Sequence, residues 1–334
     1  MVGTARGAKT LRSETHTLVS KKEYSAEPLA MRFARFVAGH LPSGRATLVR
    51  AVAGVVGGPR EFFARCGPLT ILVDVDDIVS CTLYNYGEFE PVVTAVFESL
   101  IEPGSIVLDV GANFGLFSLV AARRLQGLGG GEIIAFEPDE RNLARLEANL
   151  GANDFTNVAV VRKGLFDRDL TGVLYLSDPK QKNMGTSSVL SHAPGQQSVE
   201  IPLVTLDTFL RESGIASVDL IKMDIEGAEF AALSGARAAL AEGKIKWILL
   251  ELHVEIMGVD KSAELLRMLF AAGYQAWFID EASSSPQARV VLNALSPDSG
   301  IGRLSGCPHI LFSLGGLPDS LADRVVPLRP VAPA

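Results

Sequence analysis

The chain has 334 residues, of which 48% are apolar and 21% charged, an ordinary globular balance with material for a large core. Its 31 Lys and Arg face 38 Asp and Glu, a net charge of -7. That argues against affinity for a polyanion, and so against a duplex nucleic-acid binder, while leaving room for a local basic patch. Cys66, Cys81 and Cys307 make neither a disulfide framework nor a metal-ligand spacing, so a reducing, cytoplasmic setting is expected. No apolar run approaches the ~20 residues of a membrane span, and the start lacks the apolar core of a signal peptide.

Residues 1 to about 25 are polar and read as mobile or loosely packed. From 29 to 58 apolar residues recur at helical spacing (Leu29, Phe33, Phe36, Val37, then Leu48, Val52, Val55), which predicts a helical cap or a subunit contact. The runs 69–73 and 78–83, divided by Asp74-Val-Asp-Asp77, suit a β-hairpin. A helix over 91–100 ends at Pro103-Gly104.

Then the chain alternates. Strands are expected at 106–110, 132–136, 157–161, 219–223, 246–250, 275–279 and 309–313. Helices are expected at 115–125, 141–150, 206–210, 229–240 and 262–272, and 171–204 reads as short strands and turns around a polar loop. This gives a doubly wound, mostly parallel sheet, whose ligands bind at the carboxyl ends of the strands. The expected units are an extension over 1–84, a main domain over 85–314 and a Pro-rich tail over 315–334 that wraps the surface or stays disordered.

The first strand runs into Asp109-Val-Gly-Ala-Asn-Phe-Gly115, a tight glycine turn leading to a helix. Gly111 and Gly115 let the backbone approach a ligand, and the helix start offers free N–H groups. The spacing is not the G-x-G-x-x-G of dinucleotide sites, and Asp109 would repel a pyrophosphate. S-adenosylmethionine, with its ammonium and sulfonium, is favoured beside a carboxylate; a plain structural turn is the alternative. The second strand ends at Glu137, placed to accept both ribose hydroxyls of an adenosine ligand, while Asp139 can cap the next helix. Asp167 follows the third strand, where it would accept from an adenine amino group or serve as a simple turn residue.

Alternation puts Lys222 and Asp224 on one face of the fourth strand. A lysine inside a central strand needs a carboxylate partner. The neighbouring strands carry Asp109 and Glu251, so Asp109, Asp224, Glu226, Glu251 and His253 are expected to converge at one edge, as a ligand site or as a structural ion-pair network around Lys222.

Val107-Leu-Asp-Val-Gly-Ala-Asn-Phe-Gly115, Ala135-Phe-Glu-Pro-Asp139, Thr205-Leu-Asp207, Ile221-Lys-Met-Asp-Ile-Glu-Gly-Ala-Glu229, Leu233-Ser-Gly-Ala236 and Glu251-Leu-His253 together resemble the FkbM family of S-adenosylmethionine-dependent methyltransferases. The resemblance covers about residues 85 to 255. It implies a Rossmann-like class I methyltransferase fold with a seven-stranded sheet, and O-methylation of a hydroxyl on a sugar, polyketide or related small molecule. It implies that Asp109, Gly111, Asn113, Phe114, Gly115, Glu137, Asp167 and Asp224 contact S-adenosylmethionine. Tyr86-Gly-Glu-Phe-Glu-Pro91 resembles the segment before the first family helix, with Glu88 against the methionine end of the donor.

An alcohol is a poor nucleophile, so a base or a metal is expected. His253 is the candidate base and Asp224 the second catalytic candidate; a Mg²⁺ ion on Asp224 and Glu251, with His253 or Glu226, is the competing arrangement. An NAD-dependent oxidoreductase lacks its fingerprint here, and a non-catalytic S-adenosylmethionine-binding module is the remaining rival. The loop residues Asn183, Met184 and His192 are candidates for the acceptor pocket, and a homodimer through the N-terminal helices is plausible.

Overall fold

The computed structural model describes residues 24–41, 43–57, 59–178, 184–190, 195–280, 290–296, 306–323 and 325–327. The chain opens with β1 (Ser25–Ala26), α1 (Leu29–Gly39), α2 (Arg45–Val56), β2 (Glu61–Cys66), β3 (Leu69–Asp74), α3 (Ile78–Tyr86) and α4 (Pro91–Ser99). The hairpin is therefore shifted from its expected place: β3 pairs antiparallel with β2, across a turn in which Gly67 takes φ 57°. The run expected as its second strand is α3. The Asp77 side chain accepts from the Ser80 amide and caps that helix, so the last member of the aspartate run starts a helix instead of closing a strand turn.

The main sheet is built from β4 (Ile106–Val110), β5 (Glu132–Phe136), β6 (Val158–Val161), β10 (Val218–Met223), β11 (Ile245–Glu251), β12 (Gln275–Asp280), β13 (Val291–Leu295), β14 (His309–Ser313) and β15 (Val325–Pro327). Its order is β15-β13-β12-β14-β11-β10-β4-β5-β6. The five strands from β6 to β11 are parallel, and β14 inserts antiparallel between β11 and β12. All seven expected strands are present in a Rossmann-like class I methyltransferase arrangement, and β13 and β15 extend the edge to nine. Part of the tail, expected to wrap or be disordered, thus adds β15 to the sheet, beside β13.

Between the strands lie α5 (Leu116–Gly127), α6 (Glu140–Ala152), α7 (Leu206–Ser213), α8 (Glu229–Ser234), α9 (Arg237–Ala241), α10 (Val254–Met257) and α11 (Val259–Ala271), with α12 (Asp319–Ala322) near the end. Strand alternation sends Val107, Leu220 and Leu249 into one core layer and Leu108, Ile221 and Ile248 into the other. Between β6 and β10, the pieces β7 (Gly164–Leu165), β8 (Leu170–Tyr175) and β9 (Ser198–Val204) form a separate small sheet.

Asn149 on α6 and Asn153, the residue that caps its end, tie the N-terminal hairpin to this body. Asn153 exchanges hydrogen bonds with the backbone of Thr70 (2.9 and 2.7 Å), and the Leu72 amide donates to Asn149 Oδ1 (2.6 Å). They satisfy backbone groups on the β3 edge that would otherwise be left open. No helix among the described residues is long and apolar enough to cross a membrane.

Candidate active site

A cavity opens at the carboxyl ends of β4, β5, β10 and β11, lined by Gly111–Phe114, Glu137, Lys163, Lys222, Asp224, Glu226 and Glu251 among others. The turn after β4 must be glycine at its start. Gly111 takes φ 80°, and a Cβ there would lie 1.8 Å from the Asp224 carbonyl oxygen. Asn113, at φ 53°, donates its amide to Glu137 Oε2 (2.8 Å), and the Asp139 amide donates to Glu137 Oε1 (2.8 Å). Burial pushes the Glu137 carboxyl up to about 8 despite these two bonds. Its remaining lone pairs are available to a diol.

Other expected contacts lie elsewhere. Gly115 is outside the cavity lining; a Cβ there would meet Leu146 Cδ1 at 2.3 Å, so its glycine serves the packing of α5 against α6. Asp109 lies beneath the floor, 1% exposed, accepting from Ser118 Oγ (2.6 Å) and level with Lys222 in the sheet register. Asp167 pairs with its neighbour Arg168 (2.8 Å), and Lys163, Gly164 and Leu165 line the cavity in its place. Glu88 is likewise absent from the lining. Glu90, two residues on, is there instead, held at φ 46° and pushed by burial to about 7. A carboxylate just before Pro91, the first residue of a helix, was its available signal.

The ion cluster is dense. Lys222, 2% exposed, points its Nζ at Asp224 (3.0 Å) and Glu251 (4.0 Å), and lies over the Phe117 ring. Burial works against its charge, but Asp224, Glu251 and Glu90 hold its pKa above the ordinary value. His253 Nε2 faces Glu226 (3.5 Å), Asp224 (3.8 Å) and Glu251 (3.9 Å). Its Nδ1 meets Oε1 of Glu229 (2.8 Å), a fully buried carboxylate that sequence reasoning did not assign. The same oxygen accepts from the Gly227 amide (3.1 Å), fixing the turn that carries Glu226 at φ 51°.

Burial opposes a charge on His253, yet the Glu229 hydrogen bond and the charges of Asp224 and Glu226 outweigh it and raise the imidazole to about 9. His253 is therefore an imidazolium near neutral pH, and it sits behind the lining instead of in it. Glu226 does line the cavity, and burial raises it to about 7 against the pull of His253. Three left-handed non-glycine residues, Glu90, Asn113 and Glu226, thus border one cavity, where strain of this kind accompanies function.

Asp224, Glu226 and His253 bring ligand atoms within 4.8 Å of one another, as do Glu90, Glu251 and His309. Asp224 and Glu251, the pair of the competing Mg²⁺ arrangement, both lean on Lys222, so a divalent ion on them would sit against a buried ammonium. The donor set does not fit that ion. Of the loop candidates, Met184 falls in the short turn Met184–Thr186, whose neighbours Gly185 and Ser187 line the cavity, while Asn183 and His192 lie outside the described residues.

Three relatives are similar in sequence. AMB antimetabolite synthetase AmbE of Pseudomonas aeruginosa is 30% identical over 50% of this chain and 10% of its own length. 2-O-methyltransferase NoeI of Sinorhizobium fredii is 32% identical over 43% of this chain and 63% of its own. 31-O-demethyl-FK506 methyltransferase FkbM of Streptomyces tacrolimicus is 28% identical over 50% of this chain and 72% of its own. The chain thus spans less than two thirds of the first two. The Methyltransferase FkbM domain matches residues 109–276, half of the chain, including the carboxyl ends of β4, β5, β10 and β11. The chain belongs to the FkbM family of S-adenosylmethionine-dependent methyltransferases.

Proposed function

We propose that the protein transfers the methyl group of S-adenosylmethionine to a hydroxyl of a small-molecule acceptor of the sugar or polyketide type, in the cytoplasm. The observation that carries this reading is Glu226: a carboxylate raised to about 7, lining the cavity, with His253 directly behind it. Gly111 to Phe114 and Glu137 hold the donor, Glu137 taking the ribose hydroxyls. The names of NoeI and of the Streptomyces FkbM describe O-directed transfer, which supports an oxygen acceptor.

The acceptor oxygen attacks the methyl carbon in line, the carbon–sulfur bond breaks, and sulfur leaves as a neutral thioether. The hydroxyl proton passes to the Glu226 carboxylate, and the His253 imidazolium behind it favours the ionised, proton-accepting form. Lys222 keeps Asp224 ionised beside the cationic donor. Radiolabelled donor with a panel of hydroxylated acceptors tests this. Label recovered as methyl ether supports it; transfer only to nitrogen or carbon, donor binding with no turnover, or tighter binding of NADH refutes it.

A further inference from the structure

Charge is distributed unevenly along this chain. Residues 1–65 hold eleven Lys and Arg against four Asp and Glu, a net of +7 within a chain whose total is -7. The same region carries an apolar stripe. Helix α1 buries Met31, Ala34 and Ala38 and turns Leu29, Phe33 and Phe36 outward, at 80%, 69% and 67% exposure. Their spacing of four and three residues makes one continuous face. The short connection to α2 folds that helix back along α1, and its far end adds exposed Val55 and Val56. Scattered exposed apolar residues need no explanation, but a phenylalanine stripe on a basic helical hairpin does.

Arg32 pairs with Glu27 (3.5 Å) and Arg60 with Asp76, but four further arginines of this region meet only carbonyls and rings. Arg35 donates to the Arg65 carbonyl (2.7 Å) and lies over the Tyr84 ring; Arg45 donates to the Leu41 carbonyl (3.2 Å) and lies over Tyr86. Arg50 and Arg65 likewise donate to the carbonyls of Val75 and Gly67. Among the described residues none of these four has a carboxylate within ion-pair distance. A two-fold contact with a second copy would set this positive region against itself. A nucleic-acid partner would use the charge and leave the stripe idle. An anionic bilayer uses both.

We infer that α1 and α2 form a docking surface for an anionic lipid bilayer, with Leu29, Phe33 and Phe36 entering the headgroup region and the surrounding arginines meeting lipid phosphates. The surface connects to the active cavity through one helix: α3 packs against both α1 and α2, and its Val79 lines the cavity.

Flotation of the full chain with vesicles tests this, comparing phosphatidylcholine alone with equal parts phosphatidylcholine and phosphatidylglycerol. Binding to the anionic vesicles is expected to be tighter by about tenfold or more, and to weaken as salt is raised. The Phe33→Asp/Phe36→Asp double variant alters only exposed side chains and is expected to lower that binding by about tenfold or more, with melting temperature and S-adenosylhomocysteine affinity unchanged. No binding to either vesicle, equal binding to both, or binding indifferent to the double variant overturns the inference. So does a dimer, seen by sedimentation, that the double variant dissociates, since that gives the stripe to a second copy.

Discussion

His253 Nδ1 and Glu229 Oε1 lie 2.8 Å apart with neither group open to solvent, so the ring is fixed in one orientation with its Nε2 toward three more carboxylates. Because a carboxylate only accepts, Nδ1 carries a proton and the chemistry of the ring is confined to Nε2. Glu229→Gln removes the charge that holds the imidazole near 9. The rising limb of the pH–turnover profile is expected to move to lower pH by about one unit, with donor affinity unchanged. A profile that stays in place separates Glu229 from the proton path.

The positions of Glu226 and His253 make a second test. Glu226→Gln and His253→Ala are each expected to lower turnover by about a hundredfold or more while leaving the donor dissociation constant within about threefold. Equilibrium donor binding and single-turnover rates separate the two. Parallel losses in both quantities would place these residues in donor binding instead.

The two glycines of the cavity loop are expected to fail differently. Gly111→Ala drives a Cβ into the Asp224 carbonyl oxygen, so donor binding is lost as the turn moves away from β10. Gly115→Ala meets the side chain of Leu146 and strains the backbone at φ 94°. It is expected to cost about 1–3 kcal/mol of stability with a smaller loss of affinity. Melting curves with and without S-adenosylhomocysteine distinguish the two outcomes.

Stability should decline on the alkaline side of neutrality. His253 is raised from 6.5 to about 9, so its contribution is complete below 6.5 and is lost as pH rises through 9. Glu137, raised from 4.5 to about 8 by burial, acts with the same sign over a lower window. The ligand-free melting temperature is therefore expected to fall steadily from pH 6.5 to 9, and Glu137→Gln to flatten the part below 8. A flat curve across that range would contradict the buried cluster.

Lys222 leans on both carboxylates of the Mg²⁺ arrangement. Activity is expected to survive exhaustive chelation unchanged. Lys222→Met, which strands Asp224 and Glu251 beside each other, is expected to destabilise the protein by about 3–5 kcal/mol. Loss of activity on chelation, restored by Mg²⁺, would reverse this reading of the cluster.

The parallel sheet was legible because its period is simple: apolar runs of five residues between amphipathic helices leave little choice of topology. The convergence of Asp224, Glu226, Glu251 and His253 followed from strand order alone. Side-chain direction at turns was not legible. Glu88 and Glu90 differ by one alternation, and which one turns inward depends on a left-handed backbone at Glu90 that only the packed fold enforces. Glu229 stands in the first turn of α8, where an acid is common and signals no partner by itself. Its partner lies 24 residues away, just past the end of β11. Asp77 misled for the same reason: a short polar residue suits a strand turn and a helix cap equally, and tertiary packing decided.

The amide of Asn149 has two ends, and both are used. Its oxygen accepts from Leu72 in β3, while its nitrogen donates to the Phe114 carbonyl (2.8 Å) in the glycine loop. One buried side chain thus fastens the N-terminal hairpin and the glycine loop to the same point. Amide exchange at Leu72 and around Phe114 should slow together when donor is added, although more than forty residues of sequence separate them. Trimming the hairpin away would leave the Asn149 oxygen without its Leu72 partner, so a loss of donor affinity is expected even though the leading segment lies outside the loop.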